Sequence, residues 1–188
     1  MTNTASQTLK VYTDASHLPH TSQGGYIILL NDSYVSSNSF RINHPTDCSY
    51  HAELLALREG IEAAYYVALR LQDFNVPLLT VEAYCDNSPV VDSINGIHPR
   101  PDVKDLALLN AYHKLRALLN RGIFHLQHVR GENNPADLLT NTLGYTKLQQ
   151  LFQTTDLNQA FHFHQTSPDI VDGTLTPLDQ SHYSNFQS

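Results

Sequence analysis

The sequence contains no tryptophan, one methionine and two cysteines, Cys48 and Cys85. Two cysteines are too few for a disulfide-stabilised scaffold, so the composition fits a reducing compartment. No apolar run approaches the ~20 residues that a membrane-spanning helix needs. The first residues lack the basic and apolar stretches of a secretory signal. We therefore expect an intracellular protein that does not associate with a membrane.

Charged residues are also scarce, at 15% of the chain, and their balance is acidic, with a net charge of −7. This balance excludes a domain that binds nucleic acid through a strongly basic surface alone. The chain after Leu148 contains four aspartates and no Lys or Arg. Residues 153–188 are therefore predicted to form an acidic polar tail, either a linker or a segment that is poorly ordered without a partner. Residues 8–152 are predicted to form the compact domain.

The hydrophobic pattern predicts five strands, over 9–13, 24–30, 34–42, 77–85 and 123–130. A long helix is predicted over 50–72, where Leu54, Leu57 and Ile61 begin one apolar stripe. Further helices are predicted over 89–94, over 102–120 and from 135 to about 151. The order βββαβααβα indicates an α/β fold. Three antiparallel strands are extended by two parallel strands into a mixed five-stranded sheet flanked by helices.

Four acidic residues occupy special places in this pattern. Asp14 ends the first strand and Asp86 ends the fourth, so parallel pairing of these strands would place the two side by side. Glu53 lies in the first turns of the long helix, at the edge of its apolar stripe. Asp137 lies in the first turn of the last helix. Each also has an ordinary explanation: a turn residue, a solvated helix residue, or an acid favoured at a helix N-terminus.

Convergence of these four carboxylates would require positive charge. At ~5 Å and an effective dielectric of about 20, each ionised pair repels by roughly 3 kcal/mol. Hard oxygen ligands favour Mg²⁺ or Mn²⁺ over zinc. Two such ions about 4 Å apart can activate a water and stabilise the leaving oxygen of a phosphodiester.

Four short segments resemble the four motif blocks of type 1 ribonuclease H, in the family's order Asp, Glu, Asp, Asp. They are VYTDAS at 11–16, HAELLALR at 51–58, YCDNS at 84–88 and VRGENNPADLL at 129–139. The fourth block most resembles the ribonuclease H domains attached to the reverse transcriptases of LTR retrotransposons. The resemblance covers residues 9 to about 145.

This resemblance implies a ribonuclease H-like fold and hydrolysis of the RNA strand of RNA–DNA hybrids. The implied catalytic residues are Asp14, Glu53, Asp86 and Asp137, which would hold two Mg²⁺ ions, with Mn²⁺ able to substitute. The products would carry a 5′-phosphate and a 3′-hydroxyl. A reverse transcriptase domain, in cis or in trans, is the implied partner, and cytoplasm, nucleus and virus-like particle are all compatible locations.

Other residues are candidates for substrate contact. Ser16, Asn87 and Ser88 are placed to contact the sugar-phosphate backbone or the 2′-hydroxyl groups that distinguish RNA from DNA. Arg130, in the fourth block, is a candidate for phosphate contact. The further candidates for phosphate contact are Arg41, Arg58, Arg100 and Lys104, for each of which ordinary surface charge is the alternative.

The chain departs from the cellular enzymes in two ways. Where they carry a histidine in a mobile loop, this chain has Arg130-Gly131-Glu132, and His128 lies before the loop, within the predicted strand. The chain also lacks their basic, Trp-containing handle. We therefore hypothesise that a tethered or associated polymerase supplies grip on the substrate, which equal activity of the isolated domain and a polymerase fusion at physiological salt would refute. The alternative is a weak or inactive ribonuclease H-like scaffold that supports a polymerase or protein contacts.

Overall fold

The structure is a computed structural model that describes residues 7–17, 21–76, 80–98 and 104–141. The strands are β1 (Leu9–Ser16), β2 (Ser22–Leu30), β3 (Ser33–Ile42), β4 (Val81–Cys85) and β5 (Phe124–His128). The helices are α1 (Ser49–Asp73), α2 (Ser88–Asn95) and α3 (Leu106–Asn120). Two short 3₁₀ helices follow β5, at Gly131–Asn133 and at Pro135–Leu139, and the second is called the 135–139 helix below.

The five strands form one mixed sheet in the order β3-β2-β1-β4-β5. Hairpin connections make β1–β2 and β2–β3 antiparallel. The connections through α1 and through α2 and α3 make β1–β4 and β4–β5 parallel. This arrangement confirms the predicted α/β architecture. It also places the carboxyl ends of β1 and β4 side by side, which is where open α/β sheets bind their ligands.

Helix α1 packs closely against the centre of the sheet, on what we call the helix face. Its buried stripe includes Leu54, Leu57 and Ile61, which are completely buried. Gly60 sets the closeness of this packing, because a Cβ at that position would lie 2.5 Å from Cγ2 of Thr13 in β1. A glycine inside a helix costs about 1 kcal/mol relative to alanine. Here it allows the helix that carries Glu53 to approach the strand that carries Asp14.

The opposite face of the sheet is covered in part by the 135–139 helix. Leu138 and Leu139 of this helix pack against Ile27 and Leu29 of β2. Gly25 makes room for it, since a Cβ there would lie 2.7 Å from Cβ of Leu139. Each face of the sheet therefore carries one helix with an acidic residue, α1 on one face and the 135–139 helix on the other. Both helices approach the same end of β1.

Two predicted boundaries are wrong within the described residues. The last helix, predicted to be α-helical from residue 135, is a 3₁₀ helix that ends at Leu139, and residues 142–151 lie outside the described residues. Helix α3 begins at Leu106 rather than at 102, because the side chain of Asp105 accepts hydrogen bonds from the backbone N–H groups of Ala107 and Leu108 and caps the helix there.

The other differences are smaller. Strand β4 begins at Val81, which pairs with the first residue of β1, Leu9, and the predicted start over 77–79 lies outside the described residues. The domain boundary near residue 152 and the acidic tail also lie outside them and stay predictions. Among the residues that the structure describes, no helix is long and apolar enough to cross a bilayer.

Candidate active site

The parallel register of β1 and β4 aligns the first two acids. Thr13 is paired with Cys85, so the next residue of each chain segment, Asp14 and Asp86, stands at the same level of the sheet. Asp14 is buried, with 4% of its surface exposed. Asp86, which follows the end of β4, is partly exposed. The strand register therefore places Asp14 and Asp86 side by side, as predicted.

Glu53 reaches from α1 into the gap between the two strand ends. Its side chain is 5% exposed. The backbone N–H of Ala15 in β1 donates a hydrogen bond to Oε1 at 3.2 Å, and the thiol of Cys85 in β4 lies 3.8 Å from Oε2. One carboxylate thus contacts both central strands beside Asp14 and Asp86.

Burial and like charge together perturb these acids. Burial, followed by the charges of Asp14 and Asp86, raises the pKa of Glu53 to about 9. Burial also raises the pKa of Asp86; the Asn134 amide opposes this and the charge of Asp137 adds to it. Burial and the neighbouring negative charges thus both favour the protonated form of Glu53, and a bound cation would favour the ionised form.

Asp137 is brought to the cluster by the 135–139 helix. Its side chain is 6% exposed, and its Oδ1 accepts a hydrogen bond from the side chain of Asn141. Asn134, which is fully buried, anchors this helix to β1: its Nδ2 donates to the carbonyl of Thr13 at 2.9 Å, while its Oδ1 accepts from the N–H of Ala136 at 3.2 Å. The charge of Asp137 contributes to the raised pKa of Asp86, so the fourth acid lies near the third.

The anchoring role of Asn134 leads to a prediction. Replacement by alanine leaves the carbonyl of Thr13 and the N–H of Ala136 without their partners in a buried place, which costs about 1–3 kcal/mol. We expect Asn134→Ala to lower the stability of the chain by that amount in urea unfolding. The matched control is Asn133→Ala, since Asn133 is the exposed neighbour. Equal stability of the two variants would contradict the role given to Asn134.

Sequence reasoning missed Thr140. Its side chain is 9% exposed, and its hydroxyl donates a hydrogen bond to Oδ2 of Asp14. Thr140 lies one residue beyond the fourth motif block, so no quoted motif contained it. Asn134 was inside that block, and its position before Pro135 is the ordinary signal of an N-capping residue.

The residues predicted to contact the substrate differ in their exposure and in their hydrogen bonds. Ser16 lies two residues beyond Asp14 on β1 and is partly exposed. Asn87 caps α2, its Oδ1 accepting from the N–H of Val90 at 3.2 Å, and Ser88 is exposed in the first turn of that helix. The side chain of Arg130 is 80% exposed, with Glu132 at 3.7 Å.

His128 is exposed, and its Nε2 lies 3.1 Å from the backbone carbonyl oxygen of Asp86. The histidine at the end of β5 therefore borders the acids, although the sequence argument assigned it no role.

The donor atoms fit a hard divalent cation. Oxygens of Glu53 and Asp86 and the sulfur of Cys85 all lie within 4.8 Å of one another. Burial, followed by the charge of Glu53, raises the pKa of the Cys85 thiol well above its ordinary value, so this group stays protonated and is not a soft ligand. The remaining donors of this group are the carboxylate oxygens of Glu53 and Asp86, which suit Mg²⁺ or Mn²⁺. Asp14 and Asp137 are not part of this closest group.

A large cavity lies away from the four acids. It has a volume of about 620 Å³ between β3 and α1, around Phe40 and Arg58, and none of the four acids lines it. The size of a cavity alone therefore does not identify the candidate site.

Comparisons with known proteins agree on the fold. No protein-family model and no curated protein sequence matches the chain. Among solved structures, LC11-RNase H1 in complex with an RNA/DNA hybrid matches with a TM-score of 0.55 and 20% identity, over 70% of this chain and 92% of that one. RNase H1 from the archaeon Halobacterium salinarum matches with a TM-score of 0.52 and 23% identity, over 70% and 92%.

The N-terminal RNase H domain of a Mycobacterium tuberculosis protein matches with a TM-score of 0.54 and 19% identity, over 77% of this chain and 98% of that one. At such identities the likeness defines the fold alone. Together with the strand order, it shows that the chain has the ribonuclease H-like fold.

Proposed function

We propose that the chain is an endoribonuclease that hydrolyses the RNA strand of RNA–DNA hybrids. The observation that carries the proposal is the alignment of Asp14 and Asp86 at the adjacent ends of β1 and β4, within a ribonuclease H-like fold. The charges of these two acids raise the pKa of Glu53, and the charge of Asp137 raises the pKa of Asp86. The hybrid bound to LC11-RNase H1 supports the choice of substrate.

In this proposal the four carboxylates hold two Mg²⁺ ions, for which Mn²⁺ can substitute. When bound, such ions supply the Lewis acidity that activates a water and stabilises the leaving oxygen of a phosphodiester. The chain's own groups hold the carboxylates in place. The hydroxyl of Thr140 fixes Asp14, and the N–H of Ala15 fixes Glu53. Asp86 is the more exposed acid and faces the incoming phosphate.

The perturbed pKa values favour an active enzyme over an inactive scaffold. Burying Glu53 beside two other acids destabilises the cation-free fold, since its pKa is raised to about 9. Replacing buried charges by well-packed apolar groups is often neutral or stabilising. A scaffold that only supports other proteins gains nothing from keeping this cluster, whereas a cation site requires it.

We also propose that the chain works with a reverse transcriptase of the LTR-retrotransposon type. The resemblance of residues 129–139 to the fourth block of those domains supports this partner. The charge distribution supports it as well, because several described cations are neutralised locally: Lys10 by Asp32, Lys114 by Glu62, and Arg58 by Glu59 and Glu62. Among the residues that the structure describes, few cations remain to hold a polyanion, so a tethered polymerase is the expected source of affinity.

The test of the activity is a substrate panel. The full chain is incubated in Mg²⁺ with four labelled substrates: an RNA–DNA hybrid, double-stranded RNA, double-stranded DNA and single-stranded RNA. We expect cleavage only of the RNA strand of the hybrid, leaving 5′-phosphate and 3′-hydroxyl ends. Cleavage of all four substrates to the same extent, or products with 3′-phosphate ends, would contradict the proposal. A complete lack of cleavage at low salt would favour the scaffold.

A further inference from the structure

The outer edge of β3 offers backbone groups for strand pairing. Strand β3 is last in the strand order and pairs with β2 on one side, so its other side has no strand partner in the described part of the chain. A β-bulge at Val35 interrupts the start of β3, and the regular segment that follows is called the 36–42 edge below. An exposed edge of this kind is a template for pairing with another extended segment.

The 36–42 edge lacks the residues that commonly block such pairing. Its sequence, SSNSFRI, contains no proline, no lysine and no acidic residue. Proteins protect exposed edges with residues of these kinds, with bulges, or by covering the edge. The bulge at Val35 comes before this segment and leaves its seven residues regular. Covering by another part of the chain is therefore the protection that remains.

The cavity between β3 and α1 opens beside this edge. Its volume is about 620 Å³, and its strand side is lined by Asn38, Phe40 and Ile42, which alternate along β3. Its helix side is lined by residues three or four apart on α1: Leu55, Arg58, Glu59, Glu62, Ala63 and Tyr66. Helix α1 thus extends over the edge of the sheet, and a strand added there would point every second side chain into the cavity.

The predicted acidic tail contains a segment with the matching period. Residues 161–164, FHFH, alternate between phenylalanine and histidine, and they lie outside the described residues. In a strand, Phe161 and Phe163 would point to the same side, about 7 Å apart. Phe40 and Ile42 have the same spacing on β3, so the two rings would meet the strand side of the cavity in register.

The described chain ends beside the same edge. The hydroxyl of Ser39 in β3 donates a hydrogen bond to the carbonyl of Leu139 at 2.8 Å, and the described part of the chain stops two residues later. Residues 142–160 connect this point to Phe161, and an extended connection of that length spans about 60 Å. The 36–42 edge is only about 24 Å long. The tail can therefore reach the edge of its own chain, where tethering gives it a high effective concentration.

The charges favour the tail over a second copy of the edge. After Leu148 the chain contains four aspartates and no Lys or Arg, whereas the 36–42 edge contains Arg41 and no acidic residue. Pairing of the tail with this edge brings opposite charges together. Pairing of two edges would bring two arginines together without an acidic residue from either segment.

We propose that residues 161–164 pair with the 36–42 edge of the same chain as a sixth strand. Phe161 and Phe163 then fill the cavity between β3 and α1, beside Phe40 and Tyr66, while the backbone of the segment bonds to β3. Tyr66, which is 66% exposed in the described structure, becomes covered. The inference does not depend on nuclease activity, since none of the four acids lines the cavity.

Hydrogen exchange of the full chain tests the pairing. Exchange is measured by mass spectrometry for peptides that cover the 36–42 edge and, as a reference, β1. We expect the double variant Phe161→Ser/Phe163→Ser to exchange about tenfold faster than the parent at the edge and equally at β1, because the edge loses the strand that protects it. The control is Tyr183→Ser/Phe186→Ser, which removes two aromatic rings from the same tail and should exchange like the parent.

A variant on the other side of the contact uses a surface residue. Tyr66→Ser removes the exposed ring from the helix side of the cavity, and we expect it to speed exchange at the 36–42 edge in the same direction. Phe74→Ser is its control, because Phe74 is the C-cap of α1, is 78% exposed and does not line the cavity. Equal melting temperatures of all variants and the parent are the check on folding.

Three results would overturn the inference. The first is equal exchange at the edge in the parent and in Phe161→Ser/Phe163→Ser. The second is an equal increase in Tyr183→Ser/Phe186→Ser, which would show no preference for residues 161–164. The third is protection of the edge that rises with protein concentration together with dimer formation, which would make a second copy the occupant. Protection that is independent of concentration and is lost in Phe161→Ser/Phe163→Ser supports the pairing.

Discussion

Replacement of Asp86 by asparagine is expected to reduce hybrid cleavage about 10³-fold or more while leaving the fold intact. The substitution keeps the size of the side chain and removes one anionic oxygen donor from the proposed cation site. Loss of a single group that stabilises charge at the reacting centre costs 10²–10³-fold in other enzymes, and a cation ligand affects binding of the ion as well. The measurement is the initial rate of cleavage in Mg²⁺, with circular dichroism to verify folding.

The stability of Asp86→Asn should not fall together with its activity. Burial and the charge of Asp137 raise the pKa of Asp86, so its carboxylate is destabilised in the cation-free fold. We therefore expect the variant to melt at the same temperature as the parent or higher when no divalent cation is present. A variant that loses activity only because it unfolds would melt lower.

Glu132→Gln is the control for Asp86→Asn. Glu132 lies in the short 3₁₀ helix Gly131–Asn133 between β5 and the 135–139 helix, and its side chain is 66% exposed. It tests whether any loss of negative charge near the site reduces the rate. If Glu132→Gln and Asp86→Asn lower the rate equally, the special role of Asp86 is refuted.

The second large effect is a dependence of stability on pH that Mg²⁺ reverses. The pKa of Glu53 is about 9 in the fold, against 4.5 for the free side chain. The folded state therefore retains a proton that the unfolded chain releases. The contribution of protonated Glu53 to the free energy of unfolding is fully present below about pH 4.5 and is lost as the pH rises toward 9. By pH 7 the loss from this group is on the order of 3 kcal/mol.

Mg²⁺ should act most strongly where this loss is greatest. The cation binds the ionised carboxylates, so its binding releases the proton of Glu53 and becomes tighter as the pH rises. In thermal unfolding at constant ionic strength, we expect Mg²⁺ to raise the melting temperature by several degrees more at pH 8 than at pH 6. Glu53→Gln should flatten the cation-free pH profile and remove most of the gain from Mg²⁺.

Glu59→Gln provides the comparison for this experiment. Glu59 lies on the same helix, and its side chain is 42% exposed beside Arg58. Its replacement should leave both the pH profile and the response to Mg²⁺ as they are in the parent. If the parent gains no more stability from Mg²⁺ than from an equal ionic strength of KCl at either pH, the acids do not form a cation site.

The fold and the elements that carry Asp14, Glu53 and Asp86 could be predicted because the signals are local and periodic. The apolar stripe of Leu54, Leu57 and Ile61 defines α1 and sets the direction of Glu53. The order of strands and helices requires β1 and β4 to be parallel, and their shared carboxyl end then brings Asp14 and Asp86 together. These conclusions need no knowledge of distant contacts.

The helix type and helix boundaries that were predicted wrongly depend on tertiary packing. Pro135 fits the first turn of an α-helix or of a 3₁₀ helix equally well, because it has no N–H to donate in either. The outcome is decided by the packing of Leu139 on Gly25 and by the anchor from Asn134 to Thr13, neither of which is visible in a local pattern. Similarly, Asp102 and Asp105 are both acceptable helix caps by residue type.

Thr140 shows the same limit at the site itself. A threonine after a run of leucines has no chemical signature in the sequence. Its importance comes from the 135–139 helix, which brings its hydroxyl to Asp14 on the face of the sheet away from α1. The residues that hold the acids in place were therefore harder to predict than the acids.

The most direct test of the account is crystallographic. Crystals of the full chain are grown with MnCl₂, and an anomalous difference map is calculated from data collected at the manganese absorption edge. The account predicts manganese density among the carboxylates of Asp14, Glu53, Asp86 and Asp137. A structure with Mn²⁺ bound elsewhere and none among these four side chains, or with one of the acids on another side of the sheet, would contradict it.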